Sequence, residues 1–192
     1  LKGHAYLLND WVPGFAVDLN GNLSEQKLLN YNTHENILTF KLETASADIM
    51  AVNTASYSGF ILKDDANNKT YMFTKLGPTA FTKPKKETKF YEIISAPTKE
   101  VIQETVKHLK DPTNSGWSAS RNTTKRAEYV QRTNLYVLNK DDQYVKVSLS
   151  KGSVLKAFKD KKAALQNYIS SEKISFKKPA DLVAVVQYYH SL

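Results

Sequence analysis

The chain is expected to fold as an α+β protein, a mostly antiparallel β body capped by C-terminal helices. Three observations predict this. Residues 1–150 break into short alternating segments separated by Gly, Pro, Asn and Asp, the pattern of strands and turns. Residues 151–192 instead repeat their apolar positions at spacings of three and four, the helical period. The composition, 41% hydrophobic with eleven tyrosines and 24% charged, supplies a core and argues against disorder. A single domain is expected, with residues 1–150 as the body and 151–192 packed on it. A curled open sheet and a partial barrel fit the pattern equally well.

Asp10, Pro13 and Gly14 read as an early turn before a strand over Phe15, Ala16, Val17, Asp18 and Leu19. Asn20-Gly21 is a hairpin signal, because a type I′ turn needs positive φ at both central residues. Residues 23–31 would return as its partner, and residues 32–36 form a polar turn. Ile37, Thr39 and Lys41 then alternate with Leu38, Phe40 and Leu42 as a strand. A second hairpin joins Gly59-Phe60-Ile61-Leu62 to Thr70-Tyr71-Met72-Phe73 across the polar residues 63–69.

Gly77-Pro78 breaks the pattern, and Lys83-Pro84-Lys85-Lys86 is a basic, proline-bearing loop. Residues 89–95 read as a strand stopped by Pro97. Residues 100–109 carry a helical spacing, but their β-branched content favours a strand. Residues 111–126 read as a long loop holding Trp117. Residues 129–138 and 144–149 then form a hairpin around Asn139-Lys140-Asp141-Asp142. In the tail, Val154, Leu155 and Phe158 begin a helical face that Leu165, Tyr168 and Ile169 continue, with Asp160 as an N-cap. Ile174 and Phe176 make an extended link. Pro179 opens a last helix whose Leu182, Val185, Val186 and Tyr189 share one face.

No reaction is legible in these residues, and neither an enzyme nor a cofactor is expected. The chain has no Cys, which excludes disulfides and thiolate chemistry. His4, His34, His108 and His190 lie far apart, without metal-ligand spacing. Asp64-Asp65 and Asp141-Asp142 sit at hairpin tips, where Asp bonds to the turn backbone. The run Asp64-Asp65-Ala66-Asn67-Asn68 gathers oxygen ligands but lacks the spacing of a calcium loop. There is no G-x-S-x-G elbow and no glycine-rich phosphate cradle. No apolar run reaches the roughly 20 residues of a membrane-spanning helix.

The net charge of +8 is concentrated in the tail. Residues 151–178 hold eight Lys against Asp160 and Glu172. Such a field attracts acidic partners, and it also serves as a solvated face. Lys89-Phe90-Tyr91 and Tyr144-Val145-Lys146 interleave cations with aromatics, but period-2 aromatics are ordinary core residues, so nucleic-acid binding is not expected.

Three local patterns carry a resemblance. They are Lys2-Gly3-His4-Ala5-Tyr6-Leu7 with Asn9-Asp10-Trp11 and Gly14, then Leu28-Leu29-Asn30-Tyr31-Asn32 with Asn36-Ile37-Leu38, and last the tail. The tail pattern runs from Ser153-Val154-Leu155 through Asp160-Lys161-Lys162, Tyr168-Ile169, Phe176-Lys177-Lys178 and Asp181-Leu182 to Tyr188-Tyr189. Together they resemble a group of secreted or envelope-located proteins of unknown function from Bacteroidetes-type bacteria. The resemblance implies a removed signal sequence and a periplasmic, outer-membrane-associated or extracellular site, and it implies no catalytic residue. The start at Leu1 without Met agrees with a mature or trimmed form.

The expected role is therefore non-catalytic, through binding of another protein or self-assembly. Trp117, Arg121, Lys125 and Arg126 form one expected contact region, and Lys159, Lys161 and Lys162 a second. The bland alternative for Trp117 is a loop anchor tucked against the sheet. A glycan or small-ligand binder is the second reading, with Tyr and Trp stacking on sugars. A hydrolase using carboxylates from distant segments is the third.

Overall fold

The computed structural model describes residues 1–111 and 126–192. Among these residues ten strands form one antiparallel sheet: β1 (Val12–Asp18), β2 (Lys27–Asn32), β3 (Ile37–Lys41), β4 (Met50–Ala51), β5 (Tyr57–Asp64), β6 (Lys69–Leu76), β7 (Lys89–Ile93), β8 (Val101–Lys110), β9 (Glu128–Leu138) and β10 (Tyr144–Val147). Their spatial order is β10-β9-β8-β7-β6-β5-β1-β2-β3-β4. Two meanders thus meet where β1 pairs with β5, and the sheet curls without closing. Helices α1 (Lys151–Ala157), α2 (Lys162–Ser171) and α3 (Pro179–Ser191) follow. The α+β class, the curled sheet and the helical tail are as the sequence predicts.

The expected turn at Pro13 and Gly14 is corrected, because both lie inside β1. The register with β5 begins only at Gly14, so β5 makes no demand on the N–H that Pro13 lacks. Gly14 is there for closeness: a Cβ would lie 2.4 Å from the Ile61 carbonyl oxygen. The Asn20-Gly21 hairpin forms, but not as a type I′ turn. Only Gly21 has positive φ (85°), and the Asp18 carboxylate accepts from the Asn20 and Asn22 amides, both at 2.8 Å. Those amides hold the Asp18 pKa below the ordinary carboxylate value, Asn22 most strongly. The two-residue β4 carries no alternation, and the sequence pattern passes over it.

The curl is set where β7 and β8 part. They pair only at Glu92–Gln103 and Ile93–Ile102, whereas β8 and β9 pair over ten positions. The far half of the β8–β9 ribbon meets the β2–β3 turn instead. There the His34 ring bonds the Lys107 carbonyl at 2.8 Å, and Tyr31 donates to Asn36 at 2.6 Å. One core spans the junction of the two meanders, from Leu29, Tyr31 and Leu38 to Phe90, with Phe60 and Phe73 stacked at 4.5 Å across the β5–β6 pair. Such a pair adds about 1 kcal/mol beyond its buried area.

At the other end the sheet is covered on both faces. Val101 and Ile102 are neighbours and both fully buried. Val101, with Val137 and Val147, packs under the three helices. Ile102, with Tyr91, Tyr136 and Tyr144, packs under Phe81. Asp160 does not cap a helix, which corrects that expectation. It lies in a 3₁₀ turn before α2 and accepts from the Tyr189 hydroxyl at 3.0 Å. The phenol finds this partner because Phe158 and Tyr189 stack at 4.0 Å and bring the turn against α3.

Candidate functional site

A cleft of about 450 Å³ opens at the β10 end of the sheet, within the size range of ligand sites. Three stretches of chain build it. Phe81, Thr82, Lys83 and Lys85 come from the basic proline loop, Val145 and Lys146 from β10, and Ser153, Lys156, Ala157 and Lys159 from α1 and the turn after it, above Tyr136 and Tyr144. Among the described residues, five lysines therefore line it and no acidic residue does. None of the five makes an ion pair among the described residues. The basic surface continues from Lys156 and Lys159 to Lys151 and Lys162, and from Lys159 to Lys161.

The aromatic cluster is the base of the cleft. Phe81 lies 5.1 Å from Tyr136 and 5.7 Å from Tyr144 between ring centroids. Lys85 covers this base: its ammonium donates to the Tyr136 hydroxyl and stands 4.4 Å from the Tyr136 ring centroid and 5.2 Å from that of Phe81. Such cation–π contacts hold the ammonium in place. Burial, and then the Glu104 carboxylate, push the Tyr136 phenol up to about 12, and burial alone does the same for Tyr144. Both phenols stay protonated at neutral pH. Tyr144 donates to the Lys99 carbonyl at 2.6 Å, and the Thr82 amide donates to the Tyr144 carbonyl at 3.0 Å, tying the loop to β10.

Of the residues expected to make contacts, Lys159 lines the cleft and Lys161 and Lys162 lie on its extension. Arg126 is exposed just before β9, ten residues along the chain from Tyr136 and thus roughly 30 Å away. Arg126 therefore lies on a surface separate from the cleft. Trp117, Arg121 and Lys125 lie outside the described residues. Sequence reasoning named Lys83 and Lys85 only as part of a basic loop, and missed Lys146 and Lys156 as members of this site. The Tyr144-Val145-Lys146 interleaving was the available local signal, but only the packing of α1 beside β10 unites these lysines.

Other chemistry is held in structural roles. The buried Asp64 accepts from the Asn67 side-chain amide at 2.8 Å and does not cap the turn backbone, which corrects the expected backbone bond. Buried Glu104 accepts from Asn134 at 2.8 Å and lies 3.8 Å from Lys89. No group of three or more His, Asp or Glu gathers among the described residues. None of the described helices is long and apolar enough to cross a membrane.

Comparison of the chain with protein-family models, with curated proteins and with solved structures returned no match.

Proposed function

We propose that this is a non-catalytic binding or assembly protein of the bacterial envelope or exterior, and that it engages an acidic partner protein through the lysine cleft. The observation that carries this reading is the convergence of Lys83, Lys85, Lys146, Lys156 and Lys159 with no carboxylate among the lining residues. Like charges brought together raise one another's energy, and an arriving anion relieves that repulsion. The envelope location rests on the sequence resemblance.

The glycan reading is weaker on one observation. Every described Phe, Tyr and Trp is buried or half-buried, and Phe81 and Tyr136 are each only 2% exposed. Stacking on a sugar or a base needs an open ring face, whereas a lysine cleft needs only charge.

Fluorescence anisotropy with three labelled probes of matched charge tests the proposal: a deca-glutamate peptide, a sulfated oligosaccharide and an oligothymidylate. The peptide is expected to bind most tightly, with affinity falling as salt rises. Tighter binding of the sugar or the oligonucleotide, or no binding of the peptide, overturns it.

A further inference from the structure

We infer that the partner's acidic segment binds in extended form, as an added strand beside β10. This deepens the proposed function and rests on it. Among the described residues, β10 is the last strand at its end of the sheet. Tyr144 pairs with Leu138, whose amide turns away to the Glu100 carbonyl at 2.8 Å, while the Tyr144 carbonyl turns outward to Thr82. Because backbone groups alternate along a strand, the N–H and C=O of Lys146 also face outward. Lys146 is exposed, and neither group has a partner on that side among the described residues.

The chain's own covering segment stops short for a chemical reason. Phe81 bridges Tyr144 in parallel. Two residues further on, that ladder would need Pro84 to donate to the Lys146 carbonyl, and proline has no N–H.

Charge then says what the open edge accepts. Lys146 pairs with Tyr136 and shares its face of the sheet with Lys85, which lies on the Tyr136 ring. Lys156 belongs to α1, whose Val154 and Leu155 pack with Val147 on the other face. Cations thus flank the edge on both faces. A strand laid beside β10 points alternate side chains to the two faces, so an acidic segment would meet lysine on each. Lysines at an edge repel a second copy of a chain that carries +8. In strand addition, main-chain bonds contribute affinity and alternate side chains contribute specificity.

The test uses a labelled ten-residue peptide of alternating Glu and Val, and two forms of it N-methylated at odd or at even positions. One methylated form is expected to bind about tenfold more weakly than the parent and the other about equally, since each set removes donors from one edge only. In parallel, the amide of Lys146 is expected to exchange more slowly when the parent peptide is bound. Equal binding of all three peptides with unchanged Lys146 exchange overturns strand addition while leaving the acidic-partner reading intact. Absence of any peptide binding overturns both. A Lys146→Pro variant lacks the outward N–H that would donate to a peptide carbonyl, on an edge that tolerates proline, and is expected to bind the parent peptide about tenfold more weakly than Lys146→Ala, which loses the same charge but keeps that N–H. If the two variants bind the parent peptide equally, Lys146 is not the site of addition.

Discussion

Lys85 donates to the hydroxyl of Tyr136 while standing 4.4 Å from the centroid of the same ring. One lysine from a proline-bearing loop is thereby fixed near the C-terminal end of β9. Tyr136→Phe removes the hydroxyl and keeps the ring, so it separates the two contacts. Its expected cost is about 1 kcal/mol in urea unfolding, with the slope unchanged, because Lys85 is half-buried and water replaces part of the lost bond. Tyr136→Ala, which empties a buried site, is expected to cost about 3–5 kcal/mol. Equal losses in the two variants would mean that the hydroxyl, not the ring, organises the cleft.

Reversing charge on the α1 side of the cleft separates binding from stability. Lys156 and Lys159 are both exposed and without ion pairs among the described residues. The double variant Lys156→Glu, Lys159→Glu is expected to bind deca-glutamate at least about tenfold more weakly in anisotropy. Thermal unfolding should change by no more than about 0.5 kcal/mol. Unchanged affinity would move the anion site away from this cleft.

Two glycines are expected to respond differently to the same substitution. A Cβ at Gly59 would lie 2.1 Å from the Phe73 carbonyl oxygen, a rigid backbone atom of the paired strand. Gly59→Ala should therefore cost about 3 kcal/mol or more by strand separation. At Gly21 the surrounding space is open and only the positive φ resists, so Gly21→Ala should cost about 1–2 kcal/mol. Denaturant midpoints of the two variants check the order.

Glu92 gives the protein a pH dependence of known sign. Burial pushes its pKa above the ordinary 4.5, and Lys69, 3.3 Å away but half-exposed, offsets this only in part. The folded state therefore holds the proton more tightly than the unfolded chain does. This group's contribution is fully present below 4.5 and is lost as pH rises through the raised value. Glu92→Gln is expected to flatten melting temperature against pH in that window and to be neutral or stabilising at pH 7. A variant that melts lower at pH 7 would show that the Lys69 pair outweighs burial.

Asp160 and Tyr189 should behave as one unit. If Asp160 capped α2, Asp160→Ala would weaken that helix whatever residue 189 is. Because its carboxylate accepts from the Tyr189 hydroxyl, Asp160→Ala and Tyr189→Phe are each expected to cost about 1 kcal/mol. The double variant should cost about the same as either alone. Additive losses in this double-mutant cycle would sink the pairing.

Most of the strands and hairpins were legible because their signals are local. The alternation in residues 37–42, the polar loop between Leu62 and Thr70, and the break at Gly77-Pro78 are each read within a few residues. The last helix was legible for the same reason, with Pro179 at its start and Leu182, Val185, Val186 and Tyr189 on its buried face. β4 was not, since two residues carry no period.

By itself the sequence determined the class of fold, the order of its elements, the absence of thiol chemistry and the concentration of positive charge in the tail. Tertiary structure alone decided the pairing of β1 with β5, which turns Gly14 from a turn residue into a close-packed strand residue against Ile61. It also decided the cleft, where lysines from residues 83–85, 146 and 156–159 meet around one strand edge. Periodicity and turn chemistry act between near neighbours, so a sequence displays them directly. Which distant segments share a surface depends on how the whole sheet curls, and no short stretch of residues encodes that.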